Sequence, residues 1–169
     1  MPVHIPWPTT IAVILPNLGG WAGAFVTRQN ISPWYKTLNK PTWTPPNWMF
    51  GPVWTGLYCS MGYASYLVYR DGGGFKDTAV PLSIYGVNLA LNWMWTPIFF
   101  GAHNIQLALY EIVALWGSTV VLGISFFKVN KLAGGLIVPY LAWTTLATAL
   151  NYSVYRNNKI TDITDEKEK

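Results

Sequence analysis

The sequence has few of the residues that carry charge, sulfur chemistry or acid–base catalysis. Asp, Glu, Lys and Arg make up 11% of its 169 residues, against roughly 25% in soluble domains. Its single cysteine, Cys59, excludes an intrachain disulfide. With two histidines, His4 and His103, and no cluster of metal-ligating residues, hydrolytic or metal-dependent catalysis is not expected. We therefore predict no metal and no cofactor.

The charge that is present does not indicate nucleic-acid binding. The net charge is +4 and the pI is about 9.2, but the basic residues occur singly or in pairs and form no stripe. No Lys or Arg precedes Arg28, so we predict neither a secretory signal peptide nor an Arg-rich transit peptide. A mitochondrial location would then require insertion without a cleaved leader.

What the sequence has instead is long apolar runs. Between Lys40 and Arg70 lie 29 uncharged residues, and Lys131 and Arg156 enclose 24 more. About 20 residues suffice for a helix to cross the hydrocarbon core. We predict an all-α membrane protein, a bundle of five transmembrane helices forming a single domain, 1–156. The predicted spans are 7–27, 46–69, 78–102, 104–127 and 132–155, followed by a disordered charged tail, 157–169. The distribution of Lys and Arg favours a cytosolic C-terminus.

The segment 34–54 concentrates tryptophan and proline between two apolar runs. Proline ends helices and is favoured at their first position, so we expect an irregular loop and a helix that begins near Pro46. Trp34, Trp43, Trp48 and Trp54 suit an aromatic belt at the membrane interface. The alternative is an aromatic lid over a cavity, with Trp54 on the same helical side as Tyr58.

Small residues recur at four-residue spacing in the first two spans. Gly19 and Gly23 form one such pair, and Gly56, Ser60 and Ala64 form a second series. Residues of this kind allow helices to approach closely. We predict packing faces here, and a homodimer formed through them.

Several polar side chains lie inside the apolar runs. Asn88 and Asn92 share one face of the third span, where they could bond to a neighbouring helix or contact a ligand. Glu111 is the only acidic or basic residue inside a predicted span. Because it lies level with Trp95 in an antiparallel pair, the indole N–H is one expected partner, and hydration near the interface is the alternative.

The aromatic content and the buried amides predict a site for a large, flat or rigid hydrophobic ligand. In the fifth span, Trp143 and Ala147 share a face by helical spacing. Leu150, Tyr152 and Arg156 fit a permissive pattern proposed for cholesterol contact, although Tyr152 and Arg156 would also serve as interfacial anchors.

Several motifs make the sequence resemble the translocator protein family, which includes the peripheral benzodiazepine receptor and bacterial tryptophan-rich sensory proteins. They cover the second, third and fifth spans, whereas the first and fourth are similar mainly in length and small-residue pattern. The matching motifs are K-P-x-W-x-P-P-x-W at 40–48, G-P-V-W at 51–54, M-G-Y-x-S-Y-L-V at 61–68, L-A-L-N-W-x-W at 89–95, P-I-F-F-G-A at 97–102 and P-Y-L-A-W at 139–143.

The resemblance implies five tilted helices, often dimeric, with the first loop closing a pocket that opens towards the cytosol. It implies a multi-pass protein of the mitochondrial outer membrane, or of the outer or cell membrane in a bacterium. Implied ligands are porphyrins such as protoporphyrin IX, cholesterol and benzodiazepine-type compounds, and outer-membrane channels are candidate partners. The implied pocket residues are Ala24, Trp54, Asn92, Trp95, Trp143, Ala147 and Leu150, and the implied sterol residues are Leu150, Tyr152 and Arg156.

Three functions are compatible with these observations. The first is a receptor or carrier for porphyrin and sterol, with Lys40 as the cation nearest to the porphyrin carboxylates. The second is a light-dependent enzyme that degrades porphyrin through Trp54 and Trp143, and the third is a structural membrane protein whose partners carry out transport. Mammalian members have tryptophan at the position of Leu107 and usually arginine at that of His103, so ligand selectivity near the fourth span is expected to differ.

Overall fold

A computed structural model describes the backbone of residues 7–31 and 34–167, and side chains within those ranges up to Lys159. The described residues form five α-helices and no strand. A 3₁₀ turn, Tyr35–Thr37, lies between the first two helices, and a π-helix, Pro97–Gly101, continues the third. The helices are α1 (Trp7–Asn30), α2 (Asn47–Asp71), α3 (Ala79–Thr96), α4 (Ile105–Val129) and α5 (Lys131–Lys167).

The predicted all-α class and the predicted number of helices agree with these elements. Pro46 occupies the N-cap of α2, as its fixed backbone angle favours. Within the described residues, three helices are long and apolar enough to cross a membrane: α1, α4 and the Lys131–Lys159 part of α5. Helix α2 carries six Trp and Tyr side chains, whose polar tips suit an interface better than a hydrocarbon core.

Helix α5 is longer than the sequence pattern predicts. Its backbone remains helical to Lys167, so the tail predicted to be disordered from residue 157 is corrected as far as residue 167. Asn158 lies just beyond the expected end. Its side chain donates to the carbonyl of Val154 at 2.7 Å and bonds to the loop at Asn39, which supports another helical turn. Residues 1–6 and 168–169 of the predicted domain and tail lie outside the described residues.

One residue, Asn130, joins α4 to α5. Its backbone N–H donates to the carbonyl of Phe126 at 2.8 Å, and its side-chain oxygen accepts from the N–H of Ala133 at 2.9 Å. The same residue therefore caps the end of one helix and the start of the next. Its side-chain amide also donates to Asp71 at 2.5 Å, which ties this turn to the end of α2.

Glycines set how closely α1 approaches its neighbours. A Cβ atom on Gly19 would lie 2.1 Å from the ring of Trp93, and one on Gly20 would lie 2.4 Å from the ring of Tyr58. A Cβ on Gly62 would lie 2.3 Å from the carbonyl oxygen of Ala12. These glycines face partners within the same chain, as a packing role predicts.

The small residues of α2 also pack inside the chain. The hydroxyl of Ser60 donates to the carbonyl of Leu136 on α5 at 2.9 Å, and Ala64 is fully buried. Gly56, in contrast, has no atom within 4 Å of a Cβ position. Much of the small-residue surface that we predict for a homodimer is therefore occupied by the bundle itself.

Candidate functional site: a cavity beneath the first loop

A cavity of about 430 Å³ lies among the helices at the end of the bundle that carries the first loop. Its walls come from α1, α2, α3, α4, α5 and the π-helix, and Tyr35 of the loop lines it as well. All seven residues predicted for the pocket line this one space. They are Ala24, Trp54, Asn92, Trp95, Trp143, Ala147 and Leu150.

Aromatic rings line the cavity in two groups. In one group Trp54 stacks on Tyr58, with ring centroids 5.5 Å apart, and meets the edge of Trp143 at 6.5 Å. In the other group Trp95 stacks on Phe99 at 4.8 Å. The i, i+4 spacing correctly predicts the contact between Trp54 and Tyr58. Such walls offer flat π-faces to a ligand.

The indole N–H groups of the cavity differ in what they bind. Trp95 donates to the side-chain oxygen of Asn151 at 3.0 Å. The Nε1 atom of Trp143 is buried and has no hydrogen-bond partner among the described residues. A buried donor without an acceptor costs about 1–3 kcal/mol, so a ligand that offers an acceptor at this position would recover that cost.

Glu111 is placed differently from both expectations. Trp95 donates to Asn151 and not to Glu111, so the predicted indole–carboxylate bond is wrong. The two carboxylate oxygens are buried and have no partner in the part of the chain that the structure describes. They are therefore not exposed at an interface either. Glu111 does not line the cavity, whereas Ile112, the next residue, does.

A chain of hydrogen bonds crosses the bundle from the inner end of the cavity. The Tyr58 hydroxyl donates to Asn92 at 2.6 Å, and the Asn92 amide donates to the Tyr140 hydroxyl at 3.0 Å. Tyr140 in turn donates to Asn88 at 3.1 Å. Asn88 is fully buried and donates to Ser118 at 2.7 Å, so its role is structural. Asn92 bonds to neighbouring helices as predicted and also lines the cavity, so its contact with a ligand stays a prediction.

The first loop, described from residue 34 to residue 46, packs onto the π-helix. Trp34 stacks on the ring of His103 at 4.2 Å and meets Phe99 edge-on at 5.4 Å. Tyr35 is buried beneath it. Trp43 and Trp48 are 48% and 71% exposed, whereas Trp54 lines the cavity, so the aromatic belt and the lid both stay predictions.

Lys40 is held within the first loop. Its ammonium donates to the carbonyls of Tyr35 and Leu38 at 2.6 and 3.0 Å and lies 4.6 Å from the centre of the Tyr35 ring. Burial lowers the pKa of the Lys40 ammonium. The cation that lines the cavity is Arg28. Arg28 therefore replaces Lys40 as the residue that would meet a ligand carboxylate.

The three residues of the predicted sterol pattern do not share a surface. Leu150 is buried and lines the cavity. Tyr152, two positions later, is 53% exposed on the opposite side of α5, and Arg156, one turn further, is also exposed. A helix turns by about 200° over two residues, which separates Leu150 from the other two.

Some cavity residues escape prediction from sequence. Asn151, Phe99 and Phe100 line the space, but nothing in their local spacing distinguishes them from other core residues. Tyr140 completes the hydrogen-bond chain although it does not line the cavity. One signal was available, since Tyr140 lies three positions before Trp143 and such residues are neighbours on a helix.

Hydrogen bonds between the first loop and α5 are expected to limit how often the loop detaches from the bundle. Asn39 donates from its backbone N–H to Asn158 at 3.0 Å and accepts from the Asn158 amide at 3.3 Å. Replacing Asn158 with alanine removes both bonds, worth about 1 kcal/mol together at an exposed site. Trypsin cleavage after Lys36 is expected to become about fivefold faster, because cleavage follows the population of the open form.

A matched control for this experiment is Ser153→Ala, one turn earlier on α5. The Ser153 hydroxyl bonds only within its own helix, to the carbonyl of Ala149 at 2.9 Å. This variant should be cleaved at the wild-type rate. Equal acceleration in both variants would show that α5 as a whole has loosened and that the Asn39–Asn158 contact does not hold the loop.

The described residues and the cavity together define a class: an all-helical protein with helices long and apolar enough to cross a membrane and a cavity lined by aromatic rings. The comparisons with known proteins agree with this class. The chain is 45% identical to a translocator protein from Homo sapiens over 156 residues, covering 90% of this chain and 92% of the relative. It is 39% identical over 149 residues to a tryptophan-rich protein TspO from Archaeoglobus fulgidus, covering 88% of this chain and 95% of the relative.

Residues 12–156 match the TspO/MBR family, and the chain belongs to that family. A further relative is protein CrtK from Rhodobacter capsulatus, 39% identical over 125 residues, with 74% of this chain and 78% of the relative covered. The match includes every helix except the start of α1 and the end of α5.

Proposed function

We propose that this protein is a membrane receptor or carrier that binds a large, flat hydrophobic ligand in the cavity beneath the first loop. The ligand classes proposed are porphyrins such as protoporphyrin IX, sterols and benzodiazepine-type compounds. All five helices would cross the membrane, and a mitochondrial outer membrane is the proposed location. The high identity to translocator proteins over most of the chain supports this assignment.

The observation that carries the proposal is the unpartnered N–H of Trp143 on an aromatic wall. A ligand with a flat conjugated ring would lie between the Trp54 and Trp95 sides of the cavity. An acceptor on that ring would take the Trp143 N–H, which otherwise stays buried without a partner. A carboxylate at the ring edge would reach the Arg28 guanidinium, whose paired donors match it.

The test is quenching of tryptophan fluorescence by protoporphyrin IX. In the double variant Trp54→Phe/Trp143→Phe, the affinity is expected to fall at least tenfold, because a stacking face and a hydrogen-bond donor are lost together. The control is Trp116→Phe, whose indole donates to Thr145 at 2.8 Å and does not line the cavity. An unchanged affinity in the double variant would contradict binding in this cavity.

Porphyrin breakdown is the second candidate function. The edge contact of Trp54 with Trp143, at 6.5 Å, places two oxidisable rings on the same wall. An enzyme of this kind would complete many turnovers per protein molecule under light and would lose activity in the double variant. Stoichiometric binding of porphyrin without any product would exclude the enzyme and leave the receptor or carrier as the function. A protein that binds neither porphyrin nor sterol saturably would instead be structural, with its partners carrying out transport.

Sterol contact is proposed for the outer face of α5, through Tyr152 and Arg156, which are exposed. Leu150 would contact a ligand from the cavity side only. A homodimer and an outer-membrane channel partner also remain proposals. The open positions on α2 and α3, Gly56 and Gly86, leave room for a neighbouring helix.

A further inference from the structure

A second concave surface lies on the outside of the bundle, along the seam between α4 and α5. This groove has a volume of about 390 Å³ and shares no residue with the cavity beneath the first loop. Its α4 wall runs from Thr119 to Lys128, and its α5 wall runs from Gly134 to Leu141. The sequence patterns described above assign it no role.

Two glycines shape the groove. A Cβ on Gly134 would lie 2.5 Å from the Cβ of Phe127, so α5 touches α4 closely near the Asn130 turn. A Cβ on Gly123 would make only ordinary contact, 3.6 Å from Ile137. The missing side chain at Gly123 therefore leaves a channel at the surface, where larger residues would fill the seam.

The lining is apolar along its length. Its one hydroxyl, on Thr119, is buried and already donates to the carbonyl of Leu115 at 2.8 Å while accepting from Asn88 at 3.0 Å. Val138 and Ile124 are exposed along the rim. Because both α4 and this part of α5 are long and apolar enough to cross a membrane, the groove would face lipid tails.

Among the described residues, Lys128 is the only charged one that lines the groove, at the end nearest the Asn130 turn. The ten residues from Thr119 to Lys128 span about 14 Å, at a rise of about 1.5 Å from one residue to the next, comparable with an extended stretch of acyl chain. Lys128 forms no ion pair among the described residues, and nearby Asp71 is bonded to Arg70 and to Asn130. Lys128 is exposed in the last turn of α4, where its ammonium would lie at headgroup depth.

From this arrangement we propose that the α4–α5 groove binds one anionic phospholipid, with an acyl chain along Gly123 and the headgroup phosphate at Lys128. The apolar channel accepts the chain, and the unpaired cation selects the negative headgroup over a zwitterionic one. A sterol fits less well, because its neutral hydroxyl gains little from the charge of Lys128. The proposal goes beyond the ligand of the cavity and requires only that α4 and α5 cross the membrane.

Native mass spectrometry of the full-length protein in detergent tests this directly. Phosphatidylglycerol and phosphatidylcholine are titrated separately, and the first bound lipid is quantified. The wild-type protein is expected to prefer phosphatidylglycerol, and Lys128→Gln should reduce that preference about fivefold. The control is Lys76→Gln, which removes the same charge at the same end of the bundle but does not line the groove.

Two further variants test the channel. Gly123→Leu places a side chain in the groove, and Val138→Phe covers it from the α5 wall. Each should weaken binding of the first phosphatidylglycerol several-fold while leaving the thermal unfolding midpoint in detergent unchanged, which reports correct folding. Three results would each overturn the proposal. The first is an equal loss of the phosphatidylglycerol preference in Lys128→Gln and Lys76→Gln, and the second is undiminished lipid binding in both folded channel variants. The third is binding of cholesterol in preference to phosphatidylglycerol.

Discussion

Replacing Gly62 with alanine is expected to destabilise the bundle by about 2–3 kcal/mol, at the upper end of what overpacking a core costs. The added Cβ would lie 2.3 Å from the carbonyl oxygen of Ala12 and 2.8 Å from the Cα of Val13. Both are backbone atoms of α1, so no rotamer change relieves the clash and the helix itself has to shift. Thermal unfolding in detergent micelles measures the change.

Gly56→Ala is the matched control, because it makes the same change on the same helix. No atom lies within 4 Å of a Cβ at Gly56. Alanine there should stabilise α2 by about 0.5–1 kcal/mol through its higher helix propensity. If both variants changed stability equally, α1 could not be packed against α2 at Gly62, and the side of the cavity formed by α1 would be misplaced.

Replacing Asn88 with leucine is expected to cost about 3 kcal/mol. The leucine side chain is close in size, but it cannot accept the Tyr140 hydroxyl or donate to Ser118 and Thr119. The Tyr140 hydroxyl is fully buried and would be left without an acceptor, which alone costs about 1–3 kcal/mol. Thermal unfolding of the variant in detergent tests this value.

A double-mutant cycle with Tyr140→Phe distinguishes the hydrogen-bond chain from simple packing. Removing the Tyr140 hydroxyl leaves the amides of Asn88 and Asn92 each without one partner. In the double variant the two losses should overlap, giving a coupling energy of about 1 kcal/mol or more. Additive effects would show that the chain does not act as a unit. The cavity wall is also expected to become more mobile in these variants, because Asn92 belongs both to the hydrogen-bond chain and to the cavity lining.

Much of the architecture follows from local sequence. The charge-free runs and the prolines place all five helix starts within a few residues of the described ones, which are Trp7, Asn47, Ala79, Ile105 and Lys131. Apolar composition and the preference of proline for the first helical position act within a few residues, so they can be read along the chain. The same holds for the Trp54–Tyr58 stack, which needs only helical spacing.

Partner choice between distant segments could not be predicted in the same way. Trp95 bonds to Asn151 in place of Glu111. The C-terminal part of α5 stays helical beyond Arg156, where contacts of Asn158 with the first loop support it. Each outcome depends on the rotation of one helix against another, which residue spacing within a helix does not define.

The sequence alone therefore determined that this is an all-α protein of the TspO/MBR family, and it identified seven residues that line one cavity. Composition and the charge-free runs suffice for the helical class, whereas the family and the seven residues follow from the resemblance of the sequence motifs. Only the tertiary structure decided that Arg28 lines the cavity, that Trp143 keeps an unpartnered N–H, and that Tyr152 lies outside. These depend on how five helices are rotated and spaced around a common core, and glycine contacts with α1 and between α4 and α5 set that spacing.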